Sequence, residues 1–250
     1  MTFWSHVKTS QNAPVSIDVQ RLTSHNPGPM TLEGTNTYLV GHEPTVVIDP
    51  GPDETEHIEA VRGAGEARGG IGTVLLTHSH GDHSDGVERL GIEPAHPADG
   101  ETIAGLTAIA TPGHAADHLC FVIDSACFTG DLILGEGSTI VGPGEMGGSL
   151  SDYMSSLRRL QSLDLTVLYP GHGPEVRDPE AKIAAYLAHR QEREDRLVAA
   201  LDRGERSREA LLDEVWDDVP DQLRSAAAIA MQAHLEKLED EGRLPPDIKD

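Results

Sequence analysis

The feature that most constrains this chain is a repeated junction, in which an apolar run of strand length is closed by a side chain of metal-ligand type. Its densest instance is Thr73-Val74-Leu75-Leu76 followed by Thr77-His78-Ser79-His80-Gly81-Asp82-His83. This reads as a buried strand running out into a loop that carries three imidazoles and a carboxylate. If extended geometry persists through His80, then His78 and His80 project to the same side, because side chains alternate along a strand. Asp82 and His83 then stand at the mouth of a helix over about residues 83 to 90 and turn toward the same point. Neutral imidazole nitrogens and a carboxylate oxygen suit zinc or a similar borderline divalent ion. A polar loop with chance histidines is the competing account, and it must explain four ligand-type residues within six positions.

The junction recurs along the chain. Leu106 to Ala110 stops at Thr111-Pro112-Gly113-His114, and a hairpin over 119 to 129 turns at Asp124-Ser125 and delivers Asp131. Thr166-Val167-Leu168-Tyr169 runs into Pro170-Gly171-His172, and Thr45 to Ile48 ends in Asp49, expected at the same edge as His78. Further strands are expected over 16 to 22 and 36 to 41, around a loop shaped by Pro27, Gly28, Pro29 and Gly34. Helices over about 53 to 67 and 151 to 160 separate the strands. Strand ends that each supply one functional side chain describe an α/β protein with its site on one loop edge of a rigid scaffold. Beyond residue 176 the pattern turns helical, with a long charged helix from Pro179 to about Leu201 and two more over 207 to 217 and 222 to 239. The last carries Ala226, Ala227, Ile229, Ala230, Leu235 and Leu238 on a helical period, first of all a core face. The expected organisation is a catalytic domain over 1 to 176, a connecting helix over 177 to 204 and a small domain over 205 to 250, with no internal repeat.

Charge narrows the partners. Forty-two acidic residues against 19 basic ones give a net charge of −23, and Lys8, Lys182, Lys237 and Lys249 are the whole lysine complement. Such a surface repels polyanions, so double-stranded DNA is not an expected partner and any nucleic acid would need local positive charge. The same acidity suits a high-salt host, where charges are screened over a few ångström. No stretch reaches the roughly 18 apolar residues of a membrane span, and the start lacks a charged segment followed by an apolar one, so a cytoplasmic enzyme is expected. Cys120 and Cys127 fall on adjacent expected strands and read as small core residues, not a disulfide.

Taken together, His-x-His-x-Asp-His at 78 to 83, Thr-Pro-Gly-His at 111 to 114, Thr-Gly-Asp at 129 to 131 and Pro-Gly-His-Gly at 170 to 173 resemble the metallo-β-lactamase superfamily. The resemblance implies an αββα four-layer sandwich over about residues 16 to 176 and a centre for two zinc ions, or other divalent ions. It implies His78, His80 and His114 on the first metal, Asp82, His83 and His172 on the second, and Asp131 bridging them. The stretches 26 to 40, 130 to 138, 169 to 174 and 181 to 190 are similar to the lactamase-beta-like protein 2 branch. That likeness implies a small C-terminal domain of winged-helix type and an endoribonuclease acting on single-stranded RNA.

Two divalent cations about 3.5 to 4 Å apart can share a bridging water and lower its pKa from 15.7 toward about 7, giving a bridging hydroxide at neutral pH. Asp131, standing where many zinc β-lactamases carry cysteine, favours the symmetric clamp of thioester and phosphodiester hydrolases over lactam cleavage. Asp82 and His118 are the candidates for catalytic roles. His118 reads as a support behind the ligands, a proton donor to the leaving group or a packed core histidine, and Asp49 as a carboxylate that orients a ligand histidine. The alternative substrate is a thioester or other small acyl ester, as in glyoxalase II relatives. A further alternative is a non-catalytic zinc protein whose C-terminal helices bind a partner, although seven ligands for two metals leave room for water and structural zinc sites are closed. A wide groove with Arg158, Arg159 or Arg190 facing the metals would mark an RNA enzyme, and a narrow pocket a small-molecule one.

Overall fold

The computed structural model describes residues 17–249 of the 250-residue chain. Residue 16, where the first strand is expected to begin, lies outside the described residues, and strand β1 spans Val19–Thr23. It is followed by β2 (Asn36–Val40), β3 (Thr45–Ile48) and β4 (Ile71–Leu75), which form one sheet in the order β1-β2-β3-β4. The first two pairings are antiparallel; β3 and β4 are parallel, because helix α1 (Thr55–Ala67) carries the chain back across the sheet.

The second sheet contains β5 (Thr102–Ile103), β6 (Leu106–Ala110), β7 (Leu119–Ile123), β8 (Ala126–Gly130) and β9 (Val167–Pro170). It too is antiparallel until its last pairing, β8 with β9, where a crossover through helix α4 (Leu150–Gln161) makes the strands parallel.

Alternation along each strand sends residues to two different cores. Tyr38, Val40, Val46, Ile48 and Leu75 point toward the second sheet and meet Leu106, Ala108, Phe121 and Phe128. The Tyr38 and Phe128 rings there stand edge to face at 5.2 Å. On the opposite face Leu39, Val47 and Val74 pack against Ile58 and Val61 of α1 and against Leu90. Cys120, Cys127 and Leu168 pack against Tyr153, Leu157 and Leu160 of α4. The result is the expected four-layer order of helix, sheet, sheet and helix, with both cysteines buried and free.

The strand itself ends at Leu75, before His78 and His80, and one local expectation fails. The expected helix over 83 to 90 is two short ones, α2 (Gly81–Ser84) and α3 (Gly86–Leu90). The break has a packing cause: Gly86 N–H donates to Gly51 O at 2.8 Å, and a Cβ at Gly86 would sit 2.5 Å from Ile58 Cδ1.

Helix α5 (Pro179–Asp202) is started by Asp178, whose side chain accepts from Ala181 N–H, with Pro179 in its first turn. Its far half packs with α6 (Arg208–Val215) and α7 (Arg224–Asp240) around Leu197, Leu201, Leu211, Val215, Trp216 and Leu235. The period read on the last helix is a core face: Ala227, Ala230, Leu235 and Leu238 are buried, and Ala226 and Ile229 half-buried. Among the described residues no helix is long and apolar enough to cross a membrane.

Candidate metal centre

The C-terminal ends of β4, β6, β8 and β9 converge at one edge of the sandwich. His78 Nε2 and His114 Nε2 each lie 3.0 Å from His80 Nδ1, which gathers these three rings around one point. Asp82, His83 and His172 form a second group, with His172 Nε2 at 3.3 Å and His83 Nε2 at 3.6 Å from Asp82 Oδ2. Asp131 stands between them. Its Oδ1 is 3.3 Å from His172 Nε2 and 3.4 Å from His83 Nε2, while its Oδ2 is 3.7 Å from His114 Nε2. The seven side chains read from the sequence are thus together, each oxygen of Asp131 turned to a different group.

The fit of cations to this arrangement is tested by hydrogen bonding. His83 Nε2 and Asp131 Oδ1 are both buried and have no hydrogen-bond partner. Buried polar atoms are almost always satisfied, and a divalent ion between these groups would supply what the protein does not.

The outer contacts fix which ring nitrogen faces inward. His83 Nδ1 lies 2.9 Å from Asp49 Oδ2, His114 Nδ1 2.8 Å from Ile140 O and His172 Nδ1 3.3 Å from Gly34 O. Oxygens that can only accept require the proton on Nδ1, leaving each Nε2 lone pair directed at the centre. Asp49, at the end of β3, also accepts from Thr77 N–H and Thr77 Oγ1–H, each at 2.7 Å. Thr35 Oγ1 donates to Asp82 Oδ2 at 3.3 Å and accepts from Asn26 Nδ2–H at 3.0 Å. The sequence shows the loop holding Asn26, Gly34 and Thr35 to be shaped, but not that its purpose is to brace Asp82 and His172. The approach at Gly171 is close enough that a Cβ there would lie 2.6 Å from both Asp131 Oδ1 and His83 Cε1.

Electrostatics divide the two groups. Burial pushes His78 well below the ordinary imidazole value and His114 down to about 4. Burial also opposes charge on His83 and His172, but Asp131 with Asp49 holds His83 well above that value, and Asp131 with Asp82 lifts His172 to about 9. Burial favours the neutral form of Asp131, yet His83 and His172 hold its carboxyl well below the usual range. The carboxylates are therefore ionised, and a cation binding at the second group competes with protons on two histidines.

His118 is 1% exposed and does not line the cavity. Its Nε2 accepts from Asp131 N–H at 3.2 Å, which puts the ring proton on Nδ1, 2.9 Å from Thr111 Oγ1. These contacts are those of a support behind the ligands, one of its three readings. Arg158 is exposed, and Arg159 is held at Ala110 O and Asp99. Arg190 lines the cavity that opens from the centre. That cavity, of about 440 Å³, has His80, Asp82, His114, Asp131 and His172 at one end and runs past Leu32, Leu134, Trp216, Val219 and Ala227 toward the C-terminal helices.

A family model of the metallo-beta-lactamase superfamily matches residues 30–92 and 94–172, which include all seven of these side chains. The chain belongs to the metallo-beta-lactamase superfamily. As a hydrolase of this superfamily it is an enzyme, which sets aside the non-catalytic alternative. A second model, the beta-lactamase associated winged helix domain, matches 207–244, so α6 and α7 belong to the expected winged-helix unit. A "Beta-lactamase-like protein 2 homolog" of Caenorhabditis elegans is 35% identical over 88% of this chain and 83% of its own. An "Atrochrysone carboxyl ACP thioesterase" of Aspergillus fumigatus is also 35% identical, over 93% of this chain and 76% of its own. Among solved structures, a metallo-beta-lactamase family protein from Thermus thermophilus superposes with a TM-score of 0.73 at 25% identity, covering 90% of this chain and 94% of its own.

Proposed function

We propose that this metallo-beta-lactamase superfamily hydrolase cleaves thioesters of apolar acyl groups. In this reading His78, His80 and His114 hold one divalent ion, Asp82, His83 and His172 a second, and Asp131 both, with zinc the expected metal. The observation that carries the reading is the cavity: an apolar channel is continuous with the ligand cluster and ends among C-terminal helices. When bound, two such cations supply an activated water near neutral pH and polarise the carbonyl under attack.

The chain's own residues do the rest. Leu32, Leu134, Trp216 and Val219 take the acyl group out of water and so position its carbonyl at the His80 and Asp131 end. Asp131, steadied by its backbone N–H on His118, sets the relation between the two groups. A thiol leaves as thiolate with a pKa of about 8.5, so its departure needs no proton donor. That agrees with a site in which His118 is buried and committed. Cleavage of RNA releases an alkoxide that needs such a donor, and its backbone needs free cations. Of the two arginines lining the cavity, Arg193 is bound to Val215 O and Asp218, and Arg190 alone does not make a track of cations for a polyanion. The thioesterase named among the relatives supports the same choice.

The test incubates metal-loaded protein with a series of acyl thioesters and with end-labelled single-stranded RNA, beside an Asp82→Ala/His83→Ala control. Thiol release that rises with acyl length and disappears in the control is the expected result. RNA cleavage lost in the control, with no thioester turned over, refutes the substrate assignment.

A further inference from the structure

Most arginines of this protein are neutralised at short range. Arg68, Arg89, Arg159, Arg193, Arg196, Arg206 and Arg243 each hold a carboxylate, as 42 acidic residues make easy. Arg21, Arg62 and Arg158 hold none among the described residues but are exposed to water. Arg190 has neither remedy: it is 4% exposed, and no carboxylate among the described residues pairs with it. Its Nη2 donates to Ser138 Oγ at 3.1 Å and to Thr139 O, its guanidinium lies 5.3 Å from the Tyr153 ring centroid, and its Nε–H has no partner. A buried cation without a counter-charge is costly.

Arg190 lines the cavity, as do its helix neighbours His189 and Arg193. Of these only Arg193 has an acid, Asp218 at 2.7 Å. His234, behind this wall, feels the same field: burial first, then Arg190 and Lys237, push its pKa down to about 3. The cavity thus has ligand-type residues, apolar side chains and an unneutralised guanidinium in its wall, the last near the centre, since Arg190 is bound to Thr139 O and Thr139 Oγ1 lies 3.5 Å from His114 Nδ1.

Resting on the thioester reading, we infer that Arg190 is an anion subsite for a carboxylate carried by the acyl group, so that the preferred substrate is the thioester of a carboxylated acyl chain. The bonds to Ser138 and Thr139 hold the guanidinium in place without discharging it, which is what a preorganised anion site requires. A clamp for the loop at Ser138 and Thr139 would need donors only, and a neutral donor would serve.

The test is equilibrium binding to the full-length, metal-loaded protein, followed by Trp216 fluorescence and by calorimetry. The ligands are α,ω-dicarboxylates from adipate to dodecanedioate, each beside the monocarboxylate of equal length. Both series offer one carboxylate to the metals, so their difference reports the far end of the chain. At the best length the diacid binds about tenfold tighter, the scale of one charge-assisted hydrogen bond. Arg190→Gln abolishes that preference and Arg190→Lys keeps part of it. A monocarboxylate that binds as well or better at every length refutes the subsite, because a wall without a usable cation penalises the second charge. So does a diacid preference that survives in folded Arg190→Gln. If that variant does not fold, the wild-type series decides alone. Turnover of neutral acyl thioesters, measured in parallel, judges the hydrolase reading separately: diacid preference without turnover sinks that reading and leaves the subsite standing.

Discussion

Replacing Asp49 by Asn separates orientation of a ligand from folding. Asp49 is 2% exposed and adopts a positive φ of 51°, a conformation that Asn tolerates, so the backbone need not move. The amide oxygen can still accept from Thr77 N–H, and the Thr77 hydroxyl can turn to accept from the new NH₂. His83 cannot adapt so cheaply. Its Nδ1 now faces a donor at 2.9 Å and must become the acceptor, which moves the ring proton to Nε2. That nitrogen then presents a hydrogen to Asp82 and Asp131 where a cation needs a lone pair. The folding cost is the loss of charge-assisted bonds, about 1.5 to 3 kcal/mol. The loss at the metal is the 10- to 100-fold typical of such an outer contact, or about 1.4 to 2.8 kcal/mol. The effect falls first on the second site, because Asp49 touches His83 directly and reaches His78 only through Thr77 Oγ1, which lies 3.0 Å from His78 Nδ1. Titration with zinc against a chelating dye should therefore give two tight sites in the wild type, and one tight and one weakened site in Asp49→Asn. Equal weakening of both, or wild-type affinity at both, refutes the tautomer argument. Asp49→Ala is the contrasting control: it strands Thr77 N–H and His83 together and should lower stability by about 3 to 5 kcal/mol.

Three further outcomes follow from the packing. Gly171→Ala puts a methyl 2.6 Å from Asp131 Oδ1 and His83 Cε1, so it should reduce metal content and thiol release at least tenfold while the sandwich stays folded by circular dichroism. His234 is buried with both ring nitrogens unpartnered, so His234→Leu should raise stability by about 1 to 3 kcal/mol at pH 7.5, read by urea unfolding. The folded pKa of His234, about 3, lies below its unfolded value of 6.5, so the unfolded chain takes up the proton first. Wild-type stability therefore falls as pH drops from 6.5 toward 3, by up to about 1.4 kcal/mol per unit from this group, and the gap to His234→Leu should widen over that window. Ala226 is half-buried on the cavity wall, so Ala226→Phe should depress kcat/KM for long acyl thioesters several-fold and leave acetyl thioesters near wild type. A uniform loss over all chain lengths would mean that the acyl group lies elsewhere.

Much of this architecture was legible because strand ends and ligands coincide in the chain. Four apolar runs closed by His or Asp gave the edge, and all seven side chains meet there. What stayed hidden is what only tertiary contact decides. Nothing local in the sequence says that Gly86 must touch Gly51, so one expected helix is two. The bracing of Asp82 by Thr35 spans 47 residues, and that of His172 by Gly34 spans 138. In the chain Arg190 is one of three arginines that would mark an RNA enzyme, yet its distinguishing property, burial with no acid among the described residues, exists only once α5 has packed.

The two sheets also share a pattern that the sequence does not display as a repeat: antiparallel strands first, then a parallel pair made by a helical crossover. Parallel strands have their C-terminal ends at the same edge, and in open α/β sheets that edge is where ligands are held. Here β3 and β4 deliver Asp49 and the stretch 78 to 83, while β8 and β9 deliver Asp131 and His172. Neither sheet owns a complete group, since His78 and His80 need His114, and Asp82 and His83 need His172. The seam is therefore tied at this edge by two backbone hydrogen bonds and one from a side chain: Leu119 N–H donates to Thr77 O at 2.6 Å, Asn36 N–H to Gly171 O at 2.7 Å, and Tyr38 Oη–H to Pro170 O at 2.7 Å. These links hold the halves in register without any ion, which is why changes at Asp49 or Gly171 should reach metal binding before they reach the fold.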